Sequence, residues 1–431
     1  MFSKFVKILA SYPFFLFFML RTFVFPTLSF LHAEVDENRE SNLPILDLNQ
    51  AVYRVLTASP SLQIAKEEST AKYSLVKQAQ LAPSPVLSYE VENFSGRRTW
   101  KGWNHREESY IWSQLFETGD KRQIRTQAAS YRYYAAMVGY DISKLVLLNR
   151  LHRTFIQVAA NQELLKNAIQ QSQIAKEMLD IATKKVEAGK VSLIQQNKAQ
   201  VAYSLTLINS EKAQIDLKNA KRRLSLLWAE TCPDFKTVLF PFFDLEMPKD
   251  LQTYIEDLCN QPEITQLLYQ FQNAKHHWRL EKANRIPDVT MQVGYKINYE
   301  EKNQGLIAGV SIPIPIFNQN QGNISEAYFE MLKVDDQKRL LALTLQSKLS
   351  IIHEEFNRSY LEAQEIQSKT LPLAKQAFEL AHKGYLEGKF EYLDVLDAQR
   401  TLFEITENYI QTLINYHTKR ADMDYLNSQL D

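Results

Sequence analysis

The sequence predicts a mainly α-helical protein with a smaller β part, in which one unit occurs twice. Proline is absent from residues 86–232 and, after residue 315, occurs only at position 372. Because proline breaks helix interiors, these stretches permit very long helices. Residues 189–200 (GKVSLIQQNKAQ) and 388–399 (GKFEYLDVLDAQ) match at Gly, Lys, Ala and Gln, always 199 positions apart. Each copy is predicted to run helix, β-hairpin, long helix, long helix.

The N-terminal residues 1–33 have the pattern of an export signal. Lys4 and Lys7 give a basic start, an apolar run follows, and Ala33 ends a possible cleavage site. The alternative is a signal that stays attached as an anchor helix. Beyond this segment we assign a first repeat to residues 34–230, an inter-repeat linker or equatorial segment to 231–249, and a second repeat to 250–431.

Charge and cysteine content narrow the possible partners and compartments. The chain has 50 basic and 50 acidic residues, so bulk charge does not favour nucleic acid, and no nucleic-acid partner is expected. Cys232 and Cys259 are compatible with one disulfide or with two free thiols. No apolar run long enough for a membrane helix follows the signal, so a membrane location would depend on β-strands.

Two long helical hairpins dominate the prediction, at about 120–228 and about 321–429, with turns at Gly189 and Gly388. The first helix of the first hairpin should span about 68 residues, or about 100 Å. Apolar residues at every seventh position predict a coiled-coil seam on the second helix of each hairpin. The seams are Ile194, Val201, Ile208 and Ile215 in the first repeat, and Val395, Leu402, Tyr409, Tyr416 and Met423 in the second.

Two segments in each repeat alternate with the period of a β-strand, at about 86–94, 109–117, 288–299 and 305–314. Each could cross a bilayer when tilted, but four strands cannot close a barrel. A transmembrane β part would therefore pool strands from several chains. The alternative is a soluble cap on a coiled coil, and the pattern leaves both open. On the clearest strand, the side chains expected to face lipid are Val289, Met291, Val293, Tyr295 and Ile297.

Three motifs carry a resemblance to a known family. They are the segment 388–399, residues 310–324 (VSIPIPIFNQNQGNI), and the strand-to-helix junction at residues 113–122 (SQLFETGDKR). Together with the duplicated layout, the chain resembles the TolC family of bacterial outer-membrane efflux proteins over essentially all of its mature length. The junction segments are most similar to the heavy-metal-efflux branch.

The resemblance implies a location in the bacterial cell outer membrane, spanning into the periplasm. It implies a homotrimer that forms a 12-stranded β-barrel in outer-membrane lipid, continued by a periplasmic α-helical barrel. A periplasmic adaptor (membrane fusion) protein would link it to an inner-membrane pump. The chain would then be the exit duct of a tripartite efflux system for metal ions or small toxic compounds. The alternative is an exported periplasmic coiled-coil scaffold or adaptor without a pore, which would not need amphipathic strands.

The resemblance also assigns candidate site residues. Asp394 and Asp397 match the Asp-x-x-Asp of the periplasmic constriction, where three copies would form carboxylate rings that favour cations. Alternatively, they are ordinary carboxylates near a helix N-terminus. The first repeat has Gln195 and Lys198 instead, and Phe390 replaces a basic residue that helps to latch the best-known member. The adaptor-contacting tips correspond to Gly189, Lys190, Val191, Ser192, Gly388, Lys389, Phe390 and Glu391.

No residue pattern favours catalysis, a cofactor or a resident metal. His276 and His277 are adjacent, so on a helix they point about 100° apart and do not share a face. The remaining helical histidines show no ligand spacing. Phosphate-binding loops, nucleophile elbows and paired His-Glu motifs are absent from the sequence. We therefore expect a protein that is not an enzyme and has no cofactor.

Overall fold

The computed structural model describes residues 43–97, 102–258 and 261–427. The predicted signal peptide, residues 1–33, lies outside the described residues. Cys259 also lies outside them, while Cys232 is exposed and free.

The described chain contains long helices and short strands in a repeated order. The helices are α1 (Leu48–Ala58), α2 (Pro60–Ala79), α3 (Lys121–Glu187), α4 (Leu193–Ser225), α5 (Leu251–Asp257), α6 (Pro262–Asn284), α7 (Gln321–Glu365), α8 (Leu371–Leu386) and α9 (Tyr392–Leu426). The strands are β1 (Ile45–Leu46), β2 (Val86–Glu92), β3 (Glu107–Phe116), β4 (Thr237–Val238), β5 (Val289–Asn298) and β6 (Asn303–Ser311).

The two hairpins join into one four-stranded antiparallel sheet in the order β2-β3-β5-β6. The central contact lies between the repeats, where β3 pairs with β5 and Tyr110 lies opposite Tyr295. Within the described residues, the outer edges of β2 and β6 have no strand partner.

The strands lie within about two or three residues of the predicted positions, and three of the differing ends have a local reason. β2 ends at Glu92, before the predicted residue 94, because Asn93 takes a left-handed conformation with φ 56°. β6 ends at Ser311 and not at 314, because Pro313 has no N–H to donate to a ladder. β6 begins at Asn303, earlier than predicted, because the left-handed residue Lys302 (φ 56°) closes a tight turn after β5.

Helix α3 is the central helix of the chain. It spans 67 residues and packs against α2, α4, α6 and α9. In the second repeat, the helix expected to start near residue 321 is interrupted by a π-helical turn at Ile366–Thr370, which the sequence analysis did not predict. None of the helices in the described part of the chain has the length together with the apolarity needed to span a membrane.

The linker between the repeats packs onto α9 through polar contacts. The Tyr416 hydroxyl donates to the Glu246 carbonyl at 2.9 Å and accepts from the Glu246 N–H at 2.7 Å. His417 Nε2 donates to the Phe242 carbonyl at 2.9 Å. β4, within this linker, pairs in parallel with β1 near the start of the described chain. These contacts hold the linker against α9 and β1.

The two predicted coiled-coil seams have different surroundings. Val395, Leu402, Tyr409, Tyr416 and Met423 are all buried within the chain, at 0–9% exposure. Ile194, Val201, Ile208 and Ile215 are 59–65% exposed. The buried residues of α4, including Ala199 and Leu224, face α3 on the opposite side. The seam of α4 therefore lies on the surface of the single chain.

Candidate functional site at the helical hairpin tips

Both hairpin tips use the same turn. Gly189 and Gly388 have φ of 66° and 78°, a left-handed conformation that glycine adopts without a steric penalty. The next residue closes the turn in each case: the Lys190 N–H donates to Lys185 O at 2.9 Å, and the Lys389 N–H donates to Gly384 O at 2.8 Å. The predicted tip residues thus form two equivalent turns.

Asp394 takes part in starting the last helix. Glu391 is the N-cap of α9, and its backbone N–H donates to Asp394 Oδ2 at 2.9 Å, while the Glu391 side chain caps in return. This reciprocal pair is a capping box. The alternative reading of Asp394, a carboxylate that serves a helix N-terminus, therefore has a structural basis. A capping role does not conflict with a role in the pore.

Asp394 and Asp397 are both exposed near the start of α9. Three positions apart on a helix, their side chains lie on the same side. At the matching places of the first repeat, Gln195 is half-buried and Lys198 is exposed. The two carboxylates are thus available to solvent at one tip only, and their role in a constriction stays a prediction.

The two tips of one chain share a small apolar core, which we call the tip cluster. Its buried members are Met178, Ala182, Ala199, Ala381, Tyr385, Tyr392 and Val395. The Tyr385 and Tyr392 rings meet edge to face with centroids 6.0 Å apart. Burial raises the pKa of both phenols. The tip cluster holds the second hairpin against the first.

A lysine of the first hairpin strengthens this contact. Lys185 Nζ donates to the Tyr385 carbonyl at 2.5 Å and lies 3.7 Å from the centroid of the Tyr385 ring. Burial, with the charge of Lys190 nearby, lowers the pKa of Lys185. The sequence analysis missed both residues, because a lysine in the last turn of a helix is common for dipole reasons alone.

Phe390, one of the predicted tip residues, packs against the helix that precedes it. A Cβ at Gly384 would lie 2.1 Å from the Phe390 ring, so only glycine leaves room for the ring. Half of the Phe390 side chain remains exposed. Phe390 thus makes an apolar contact within its own hairpin, at the position where the resemblance led us to expect a basic residue.

The sheet has one apolar and one polar face. Met291, Val293 and Tyr295 of β5 are exposed on one side, in line with Val289 and Ile297, which are half-buried. In register with Tyr295 lie Tyr110 and Tyr89, giving a row of three tyrosines across the sheet. On the other side, Lys296 pairs with Glu92 and Glu107. The lipid-facing role of the first set stays a prediction.

The described histidines and acids do not gather around a common point. Among the described residues, no three side chains of His, Cys, Asp or Glu come together as ligands for an ion. His276 is buried and stacks on Tyr131, with ring centroids 5.2 Å apart, while His277 is exposed. The adjacent pair therefore has two separate environments.

The chain contains two copies of a unit that has one β-hairpin and one pair of long helices, and the two hairpins form an amphipathic sheet. This layout defines a class of protein, which comparison with known proteins identifies. Residues 51–230 and 254–424 match the family described as outer membrane efflux protein. These two segments make up most of the sequence, and the chain belongs to this outer membrane efflux protein family. The outer-membrane location extending into the periplasm, predicted from the sequence, is thereby confirmed.

Two relatives refine this assignment. The chain is 28% identical over 368 residues to the cobalt-zinc-cadmium resistance protein CzcC of Cupriavidus metallidurans, covering 85% of this chain and 86% of CzcC. It is 22% identical over 326 residues to the nickel-cobalt-cadmium resistance protein NccC of Alcaligenes xylosoxydans xylosoxydans, covering 66% and 72%. The resemblance to the heavy-metal-efflux branch is confirmed.

The fold is similar to that of solved channels. The crystal structure of the Campylobacter jejuni CmeC outer membrane channel matches with a TM-score of 0.75 at 14% identity. The match covers 88% of this chain and 85% of CmeC. At this identity the likeness concerns the fold.

Proposed function

We propose that the protein is the outer-membrane exit duct of a tripartite efflux system, working as a homotrimer. Three four-stranded sheets would close into one twelve-stranded β-barrel, and the helical hairpins would form a barrel in the periplasm. A periplasmic adaptor would meet the tips around Gly189 and Gly388, and an inner-membrane pump would supply the energy.

The observation that carries this proposal is the sheet with two open edges and one apolar face. Unpaired strand edges invite pairing, and natural proteins cover or close them. Within the described residues, β2 and β6 are such edges, and they flank a face that exposes Leu87, Val293 and Leu306. Pairing each β6 with the β2 of a neighbouring copy satisfies the backbone and places the apolar face against lipid.

The exposed seam of α4 supports the trimer independently. Isoleucines and valine at intervals of seven form an apolar stripe that is typical of helix–helix packing. The equivalent seam of α9 is already filled by its own chain. A neighbouring copy is the partner that would cover the α4 seam in a closed ring.

The cargo is proposed from the relatives and from the carboxylates. CzcC and NccC are named for resistance to divalent metals. Rings of Asp394 and Asp397 would attract such cations. Metal ions are therefore the first proposed cargo, and small toxic organic compounds are the second.

Extraction from membranes tests the duct against the scaffold. We expect the protein to remain with outer membranes after a urea wash and to migrate as a trimer in mild detergent, with β-structure visible by circular dichroism. A monomeric protein released by urea would contradict the duct and favour the scaffold without a pore.

Deletion of the gene tests the cargo. Loss of tolerance to cobalt, zinc or cadmium, restored by the intact chain, is the expected result. Loss of tolerance to organic compounds alone would move the cargo to the second class. Unchanged tolerance to both would contradict a role in efflux of either class.

A further inference from the structure

A groove lies where the second repeat passes from strand to helix. It has a volume of about 380 Å³ and is lined by residues of α6, of α7 and of the connection between β6 and α7. We call it the junction groove and define it by Trp278, Arg285, Gln319, Gln321 and Tyr328. Its position places it at the end of the sheet from which the long helices begin.

Two aromatic rings line the junction groove. The Trp278 ring of α6 and the Tyr328 ring of α7 have centroids 5.7 Å apart. Lys282 Nζ lies 4.5 Å from the centroid of the Trp278 ring, so the ring also holds a cation beside the groove. Tryptophan and tyrosine next to basic residues are typical of the interface between a membrane and water.

The arginine of the groove has no protein partner. The Arg285 side chain is exposed and makes no hydrogen bond or ion pair within the part of the chain that the structure describes. The nearby carboxylates are engaged by other groups. Glu281 accepts from Asn320 Nδ2 at 2.7 Å, and Asp288 pairs with Lys121 at 2.6 Å. A free guanidinium suits a phosphate, which it can bind through two parallel hydrogen bonds.

The connection between β6 and α7 adds further donors to the groove. The Gln319 N–H donates to Gln321 Oε1 at 2.9 Å, so the amide nitrogen of Gln321 is left to donate elsewhere. No side chain caps the start of α7, and the first N–H groups of a helix carry partial positive charge. The groove thus combines positive charge with hydrogen-bond donors, and the ligand that fits it is an anion.

The charge of the surrounding helix distinguishes the two repeats. Residues 275–285, which end α6, contain four basic residues and one acidic residue, a net charge of +3. In the first repeat, residues 73–83 take the same place before the first strand and contain one basic residue and no acidic one. Clusters of basic residues beside a membrane attract anionic lipid headgroups. The second repeat therefore has the stronger attraction for such a lipid.

Apolar residues next to the groove indicate that the anion carries acyl chains. Ile314, Ile316 and Phe317 of the same connection are 79%, 67% and 92% exposed. They follow directly on β6, whose Leu306 and Val310 are exposed on the apolar face of the sheet. A free phosphate ion would gain nothing from these side chains, whereas a phospholipid would cover them.

We propose that the junction groove binds the phosphate headgroup of an anionic phospholipid whose acyl chains lie along Ile314, Ile316 and Phe317. Arg285 and the start of α7 hold the phosphate, and Trp278 packs beside it. This inference rests on the proposed duct, because it places the lipid beside the sheet at its periplasmic end. It gives the second repeat a specific contact with the membrane.

Lipid binding to the purified full-length protein tests the groove. Native mass spectrometry in mild detergent counts bound phosphatidylglycerol, with phosphatidylcholine of the same acyl chains for comparison. Arg285→Gln removes the guanidinium at an exposed position, so the variant should fold. Arg122→Gln is the matched control, because it removes the same charge at an exposed position near the start of α3 in the first repeat.

We expect the native protein to bind phosphatidylglycerol more tightly than phosphatidylcholine. The apparent affinity for phosphatidylglycerol should fall about fivefold or more in Arg285→Gln, the contribution of one basic residue at an anionic membrane surface. It should stay unchanged in Arg122→Gln and recover in part in Arg285→Lys. Equal affinity of Arg285→Gln and the native protein would overturn the groove, as it would if a neighbouring copy covered it. An equal loss in both glutamine variants would also overturn it, since general attraction would then explain the binding.

Inorganic phosphate distinguishes a lipid from a free anion. Phosphatidylglycerol should raise the thermal unfolding midpoint of the native protein more than that of Arg285→Gln, and inorganic phosphate should leave both midpoints unchanged. If inorganic phosphate alone raised the native midpoint as much as the lipid does, the lipid assignment would be overturned.

Failure of the duct gives a different result from failure of the groove. Release of a monomer by urea would overturn the duct, while phosphatidylglycerol binding that depends on Arg285 would still support the groove. A trimer that stays in the membrane and binds both lipids equally would overturn the groove and leave the duct intact.

Discussion

At the scale of single residues, Asp394 combines a structural and a proposed electrostatic role. Replacing both Asp394 and Asp397 by Asn keeps an acceptor for the capping box but removes the charge. Block by a trivalent cation should weaken about tenfold or more, since about 1.4 kcal/mol of lost attraction suffices for that. Single-channel recordings measure the effect.

The control for this change is Glu404→Gln, which removes an exposed carboxylate farther along α9. Block should stay as in the native protein. An equal loss of block in the control, or no loss in the double variant, would contradict the assignment of the constriction.

Two substitutions of Tyr385 distinguish the contribution of ring packing from that of hydrogen bonding in the tip cluster. Its ring is 2% exposed, and its hydroxyl has no partner among the described residues. Tyr385→Ala should therefore lower the local stability of the tips by about 3–5 kcal/mol. Tyr385→Phe should change it by less than about 1 kcal/mol. Hydrogen exchange of the tip amides measures both, and equal effects would contradict the role of the ring.

Because His417 is buried against the linker, we expect the free energy of unfolding to depend on pH. Burial lowers its pKa to about 4 in the folded protein, from an ordinary value of 6.5. The unfolded chain therefore takes up the proton first, and stability present above pH 6.5 is lost as pH falls towards 4. The loss should be about 3 kcal/mol.

Thermal unfolding between pH 7 and pH 4 measures this slope, and His417→Gln should flatten it. The variant retains an amide donor for the Phe242 carbonyl. A slope that is the same in both proteins would assign the pH dependence to other groups.

At the scale of elements, a substitution in the exposed seam of α4 tests the proposed contact between copies of the chain. Ile208→Glu places a charge in the middle of the proposed contact with a neighbouring copy, so the trimer should dissociate while each chain keeps its helical content. Size-exclusion chromatography with light scattering measures the change. Gln214→Glu adds the same charge on an exposed position off the seam and should leave the trimer intact. Dissociation of both variants, or of neither, would contradict the seam as an interface.

Some elements were predictable because their signals are local. The alternation in β5, the glycines of the two turns and the proline-free run of α3 each depend on neighbours in sequence, and the structure has a strand, two left-handed turns and one long helix there. The contact of Lys185 with Tyr385 joins residues 200 positions apart, and no local pattern encodes it.

The π turn lies between these two cases. Its signals, the interval of eight between Ile366 and Ala374 and the lone Pro372, are present in the sequence. These signals can be interpreted only once the structure shows which side of α7 and α8 is buried. The predicted seams show the same limit: periodicity located them, but only the structure shows which one is filled by its own chain.

At the scale of the whole molecule, the sheet and the two long hairpins of the described chain fit the proposed trimeric duct. In that proposal the sheet would supply a third of a barrel, the long helices would supply its length, and the second tip carries the two exposed carboxylates. The tip cluster and Lys185 hold the two hairpins of each chain together. A loosened tip should therefore conduct more often than the native one.

Single-channel conductance of the purified trimer in planar bilayers tests this account most directly, with native protein and Tyr385→Ala measured side by side. We expect cation-selective steps that trivalent cations block from one side, and more frequent openings in the variant. Trimers of both proteins that insert and yet pass no current would contradict the duct.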